Sequence, residues 1–174
     1  VMYIVRIVEG DDLDVTIHGS FQYDGVDYPV LGTIDASENR NIRNVIVESV
    51  PDQGIYFYKS SLKSLIFNNV DPIDLTDSNF RACDQLNRVE FNGPVKTIPR
   101  ALFNDSTEIR TLNFSGSIDN IGDYAFASNG YIENLVFNGT IGKISYESFG
   151  SFTKLKSVTF KGCLLYTSPS PRDL

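Results

Sequence analysis

The chain has 174 residues, of which 41% are apolar, and it carries a formal net charge of −7. This length and composition are typical of a globular domain with a sizeable core and argue against a disordered chain. The acidic balance argues against nucleic acid as a partner, and no apolar run is long enough to insert into a membrane.

The first segment, residues 1–38, is predicted to form a small β cap in front of a series of repeats. Its stretches "DLDVTIHG" and "SFQYDG" alternate apolar and polar residues, and the second contains an Asp-Gly turn signal. The chain begins with Val1 rather than Met. We therefore expect a fragment, and any signal peptide would lie upstream of it.

Residues 39–162 follow the pattern apolar-x-x-apolar-x-apolar at almost constant spacing. Six segments carry it: "IRNVIV", "LKSLIF", "LNRVEF", "IRTLNF", "IENLVF" and "LKSVTF". Their first residues are separated by steps of 20, 24, 23, 23 and 23 residues. Because no such unit can bury its apolar face alone, the repeat predicts about five to six stacked coils that close each other's cores.

The second half of each unit also repeats. An isoleucine, a phenylalanine and a glycine recur at fixed offsets: Ile98, Ile121 and Ile144; Phe103, Phe126 and Phe149; Gly93, Gly116, Gly139 and Gly162. Each coil should then contain a strand, a glycine turn with positive φ, a second extended stretch and a helical turn holding the phenylalanine. The expected fold is an α/β repeat solenoid with a parallel β ladder and short helical turns, preceded by the β cap.

Alternation along each first strand places apolar side chains inside and polar side chains on the outer face. This outer face is rich in amides and hydroxyls, which can hydrogen-bond a partner, and it has no aromatic platform for a sugar. The alternative is a solvated face without a ligand. The candidate binding residues are Ser64, Ile66, Asn68, Arg88, Glu90, Asn92, Thr111, Asn113, Ser115, Asn134, Val136, Asn138, Ser157 and Thr159.

Catalytic and metal-binding signals are weak. The sole histidine, His18, has no fixed partner in sequence, and a lone histidine is more often structural than catalytic. The two acidic runs, "EGDDLD" and "DPIDLTD", lack the loop pattern that calcium requires, so solvated turns are expected. We predict no enzyme activity, cofactor or metal. Three Asn-x-Ser/Thr triplets, at Asn104, Asn113 and Asn138, are glycosylation candidates in a eukaryotic secreted protein, but such triplets also arise by chance.

The repeat resembles the BspA-like class of leucine-rich repeats. "IGDYAFAS" and "LTDSNFRAC" are similar to its I-G-x-x-A-F-x-x-C signature, and Cys83 occupies the cysteine position. Other units depart from the signature by carrying Ser106, Asn129 and Phe152 there. The resemblance covers about residues 42–162. The leader, with its "YPV" stretch, also resembles the lead-in of such proteins.

The resemblance implies a cell-surface or secreted protein that binds other proteins, such as host-matrix or partner-cell components, without chemistry of its own. Two alternatives remain. The first is a passive spacer that carries another domain outward, and the second is an accessory region of a hydrolase whose catalytic domain lies outside the chain.

The last residues, 163–174, do not follow the repeat pattern, because Pro169 and Pro171 stand where the pattern predicts a helical turn. The string "CLLYTSPSPRD" resembles the translation of a transposase adapter used in sequencing libraries. We therefore expect a non-native tail, a truncated chain and no Cys83–Cys163 disulfide. The last coil would then expose Leu155, Val158 and Phe160, and we expect the chain to self-associate through that uncapped coil.

Overall fold

The computed structural model describes residues 13–163, which contain fifteen β-strands and no helix. No helix in this part of the chain is long and apolar enough to cross a bilayer. The strands are Leu13–Ile17 (β1), Ser20–Tyr23 (β2), Val26–Pro29 (β3), Ile34–Asp35 (β4), Ile42–Val47 (β5), Ile55–Tyr56 (β6), Ser64–Phe67 (β7), Ile73–Asp74 (β8), Arg88–Phe91 (β9), Val95–Ile98 (β10), Thr111–Phe114 (β11), Ile118–Ile121 (β12), Asn134–Phe137 (β13), Ile141–Ile144 (β14) and Ser157–Phe160 (β15).

The largest sheet has seven parallel strands in the order β1-β5-β7-β9-β11-β13-β15. Six of them are the six repeat segments, so the predicted parallel ladder is confirmed. The seventh, β1, comes from "DLDVTIHG" and pairs with β5. The division of the chain at residue 38 stays a prediction. A second parallel sheet, β14-β12-β10-β8, runs along another side of the solenoid.

Two short sheets complete the described structure. Strands β4 and β6 pair in parallel, and β2 and β3 form an antiparallel hairpin. Asp24 and Gly25 at the hairpin tip have φ angles of 49° and 73°. Positive φ at both central residues is what a two-residue hairpin turn requires, and it explains the Asp-Gly sequence.

The predicted helical turns are wrong. In these segments some backbone N–H groups bond to the next coil, as when Phe103 N–H donates to the Ala125 carbonyl at 2.8 Å. Others close single turns, as when Asn104 N–H donates to the Ala101 carbonyl at 3.2 Å, and no run of helical bonds forms. The residue two places after each phenylalanine is left-handed: Asp105 has a φ of 61° and Ser128 a φ of 66°. A left-handed residue interrupts a right-handed helix, so each segment stays a series of turns.

The repeated glycines have a role other than the predicted one. Positive φ occurs at Gly25, Gly32 and Gly54, but not at Gly93, Gly116, Gly139 or Gly162. Instead, a Cβ added to Gly116 would collide with the Gly93 carbonyl oxygen, and one added to Gly139 would collide with that of Gly116. The glycines therefore let the backbones of successive coils approach closely.

Two columns of stacked phenylalanine rings run through the core. In the first, from the turn segments, consecutive ring centroids lie 5.1–5.7 Å apart: Phe57, Phe80, Phe103, Phe126 and Phe149. In the second, from the sheet, they lie 4.7–5.3 Å apart: Phe67, Phe91, Phe114, Phe137 and Phe160. Edge-to-face contacts such as Phe114 with Phe126 join the two columns. Each coil between the two ends of a column therefore buries its ring against both neighbours.

A third column of small polar side chains explains the cysteine position of the repeat. The Cys83 thiol donates to the Phe57 carbonyl at 3.0 Å, and the Ser106 hydroxyl donates to the Phe80 carbonyl at 2.9 Å. Burial raises the pKa of the Cys83 thiol, so it remains a protonated donor. Each such group satisfies a buried carbonyl of the preceding coil. Cys83 and Cys163 are free thiols, the first buried and the second exposed.

Candidate functional site

The outward side of the seven-stranded sheet brings together all fourteen candidate binding residues. None of them is buried, whereas the residues that alternate with them in β7, β9, β11 and β13, such as Val89, Phe91 and Phe114, are. Parallel register places equivalent positions side by side, as in the pairs Thr111–Arg88 and Asn113–Glu90. We call this surface the sheet face: the fourteen residues, continued by Asn44, Ile46, Glu48 and Lys161.

Side chains on the sheet face already bond to one another across strands. The Ser157 hydroxyl donates to Asn134 Oδ1 at 2.7 Å, and Asn44 Nδ2 donates to Asp14 Oδ1 at 2.7 Å. Within one strand, Arg88 and Glu90 form an ion pair at 3.0 Å. These contacts restrict the conformations of the amide, hydroxyl and charged groups that take part in them.

Aliphatic groups interrupt this polar surface. Ile46 is 38% exposed, its neighbour Ile66 in the ladder is half-buried, and Val136 occupies the same row further along. An aliphatic group among amides and hydroxyls offers apolar area for burial next to groups that can form directional hydrogen bonds.

Charged side chains of both signs lie along the sheet face and beside its strands, including Arg43 and Lys63 at the first strands. Its first strands carry Asp14 and Glu48, and its last strand is flanked by Lys156 and Lys161. Lys156 pairs with Glu133 at 2.9 Å, whereas Lys161 is exposed to solvent.

Beside the start of strands β13 and β15 lies an aromatic group that the sequence reading missed. The Tyr131 ring has the Arg110 guanidinium carbon 4.4 Å and Lys154 Nζ 4.2 Å from its centroid. Arg110 also pairs with Glu108 at 3.0 Å. Cations that occupy the ring make it a poor stacking platform for a sugar. The sequence pattern that could have predicted this group is an aromatic residue, Tyr131, with a cationic residue about one repeat before it and another about one repeat after it.

An open cleft of about 1020 Å³ lies past the ends of β1, β5 and β7 and contains His18. His18 Nδ1 lies 2.6 Å from Glu48 Oε2, and both side chains are largely exposed. Within residues 13–163 no hydroxyl is hydrogen-bonded to this ring, and Glu48 is its hydrogen-bond partner.

The acidic residues of "DPIDLTD", Asp71, Asp74 and Asp77, are exposed and line the same cleft. Asp74 accepts the backbone N–H of Thr76 at 3.0 Å, which is ordinary turn bonding. In the described part of the chain no three His, Cys, Asp or Glu side chains are grouped to hold a metal ion. Of the other acidic run, Asp14 is described, whereas Glu9, Asp11 and Asp12 lie outside the described residues.

The three glycosylation candidates differ in accessibility. Asn138 is exposed at the end of β13, Asn113 is half-buried within β11, and Asn104 is half-buried in a turn. The Ser106 hydroxyl of the Asn104 triplet is fully buried. Asn138 is therefore the most accessible of the three asparagines for a glycan.

Comparison with known families agrees with this architecture. A family model described as the BspA type leucine rich repeat region matches residues 53–167, in six copies. No curated protein and no solved structure matches the chain. The matched region contains strands β6 to β15 and both phenylalanine columns.

Proposed function

Because the chain belongs to the BspA-type leucine-rich repeat family, we propose that it is a non-catalytic protein-binding module of a surface or secreted protein. The observation that carries the proposal is the sheet face, where amides, hydroxyls and aliphatic groups from successive strands stand in register. Stacked coils form an extended rigid surface, and such surfaces are how repeat proteins bind their partners. Host-matrix or partner-cell proteins are the partners that we propose.

Two variants with the same residue types test this proposal. Thr111→Arg with Asn134→Arg places two large cations on adjacent strands of the sheet face. Thr97→Arg with Asn120→Arg does the same on the second sheet, where the two residues are register partners. We expect the first variant to weaken binding to purified extracellular-matrix proteins at least about tenfold, because it blocks the centre of the surface.

The second variant should bind within about twofold of the unchanged chain. Biolayer interferometry on an array of immobilised matrix proteins measures both, with circular dichroism as the check on folding. Equal losses in the two variants would place the contact elsewhere. Absence of binding by the unchanged chain to every matrix protein would favour the passive spacer.

We also infer that the chain self-associates through its last strand. Val158 is 47% exposed and Phe160 is 41% exposed, whereas the equivalent Leu135 and Phe137 one coil earlier are buried. Among the described strands β15 has a partner, β13, on one side only. Exposed apolar side chains on such a strand edge favour pairing with another chain. We expect an apparent mass that rises with concentration in light scattering, and less association for Val158→Lys with Phe160→Lys. A concentration-independent monomer would contradict this inference.

A further inference from the structure

A second cleft lies on the turn segments, away from the sheet face. It has a volume of about 290 Å³ and is open to solvent. Its lining residues come from three successive coils: Arg81, Arg100, Ala101, Asn104 and Tyr124. Two arginines thus line one small cleft in a chain whose net charge is −7.

Arg100 is held in place by an aromatic ring. Its guanidinium carbon lies 5.3 Å from the centroid of the Tyr124 ring. A guanidinium in contact with a ring keeps N–H donors, because the attraction involves its charge and not its hydrogen bonds. Among residues 13–163 no carboxylate forms a salt bridge with Arg100.

Arg81 is only loosely paired. Its one described carboxylate partner, Asp105, is 3.7 Å away, and the two side chains are 47% and 53% exposed. Asn104 Nδ2 also donates to Asp105 Oδ2, at 2.7 Å, so this carboxylate is shared between two donors. An exposed ion pair of this length contributes little to stability, and an incoming anion can replace it.

The small side chain of Ala101 leaves the cleft open. The equivalent position in the next coil is Tyr124, and the two residues have nearly the same left-handed φ, 56° and 54°. The backbone of this coil therefore accommodates a tyrosine where the chain has an alanine.

We propose that this cleft binds a small oxyanion, a phosphate, sulfate or carboxylate group, through the N–H edges of Arg81 and Arg100. Arginine presents its donors as a planar fork that matches the oxygens of these groups. The Asn104 amide lies in the same cleft. The site is separate from the sheet face, and its occupant is either a free ion or an anionic group on a larger ligand.

Titration of the full chain with sodium phosphate, sodium sulfate or sodium acetate tests the site, with sodium chloride keeping the ionic strength constant. Chemical shifts of the arginine Nε–H groups report on binding. We expect saturable shifts at Arg81 and Arg100, and an affinity about tenfold lower in Arg100→Gln. Saturation by phosphate and sulfate alone would identify a tetrahedral group, and saturation by acetate would identify a carboxylate; either supports the proposal.

Two further variants test whether the anion binds in this cleft. Ala101→Tyr should abolish binding by filling the cleft with the side chain that the next coil carries. Arg110→Gln is the matched control, because Arg110 also packs on a tyrosine ring but is already paired with Glu108. Shifts that do not saturate, or an affinity unaffected by Arg100→Gln and Ala101→Tyr, would overturn the proposal.

Discussion

Replacing Phe114 with alanine is expected to lower the free energy of unfolding by about 4 kcal/mol. The Phe114 ring is fully buried and stacks between Phe91 and Phe137, with centroids 5.3 and 4.7 Å away. It also meets Phe126 of the other column edge-to-face at 5.6 Å. Its removal leaves a cavity between three coils, and the hydrogen-bonded backbones on both sides oppose collapse into that space. A urea titration followed by circular dichroism measures the loss.

Phe160→Ala is the matched control, because Phe160 ends the same column. Its ring is 41% exposed and stacks on Phe137 alone within its column, so we expect a loss of about 1 kcal/mol. Titrations at two protein concentrations separate this loss from self-association. Equal losses of unfolding free energy at Phe114 and Phe160 would contradict the prediction, because a buried ring stacked on both sides would then contribute no more than a partly exposed ring stacked on one side.

The period of the chain is the part of the fold that can be predicted from sequence alone. Leu135 and Phe137 stand two residues apart, which places both on one side of a strand, and the same spacing recurs 23 residues later at Val158 and Phe160. A constant period repeats the same side-chain contacts in every coil, so the parallel register follows from it.

Conformation within the turns cannot be predicted in this way. A segment such as "GDYAFAS" has the composition of a helical turn, but its hydrogen bonds depend on the neighbouring coil. Phe126 N–H donates to the Ser148 carbonyl at 2.8 Å, a residue that the segment itself does not contain. Long-range bonding of this kind overrides local propensity, which is why the predicted helical turns are wrong.

Of the candidate sites, too, one part can be predicted from sequence and another part cannot. The sheet-face rows follow from strand periodicity, so their placement was accessible from sequence. The contacts of Tyr131 with Arg110 and Lys154, and of Arg100 with Tyr124, join residues 21 to 24 positions apart in irregular turns. Which of these side chains meet depends on backbone geometry that the repeat pattern does not contain.

A Gly116→Ala substitution should destabilise the solenoid by about 3 kcal/mol, although it adds only one methyl group. The added Cβ would collide with the backbone carbonyl of Gly93, which is not the end of a flexible side chain. The strands beside both residues are fixed by the parallel ladder between β9 and β11. Relief therefore requires the separation of two coils, which also weakens the stacking of Phe91 on Phe114.

Gly130→Ala provides the control for this effect. The nearest atom to a Cβ at that position is the Thr153 hydroxyl oxygen, 3.1 Å away, and a side-chain rotation can move it. We expect a change within about 1 kcal/mol, since alanine also restricts the unfolded chain. If positive φ were the reason for glycine at position 116, Gly116→Asn would be tolerated, because asparagine adopts left-handed φ readily. The close approach of the coils instead predicts that asparagine destabilises the protein at least as much as alanine, and urea midpoints of the three variants distinguish the two explanations.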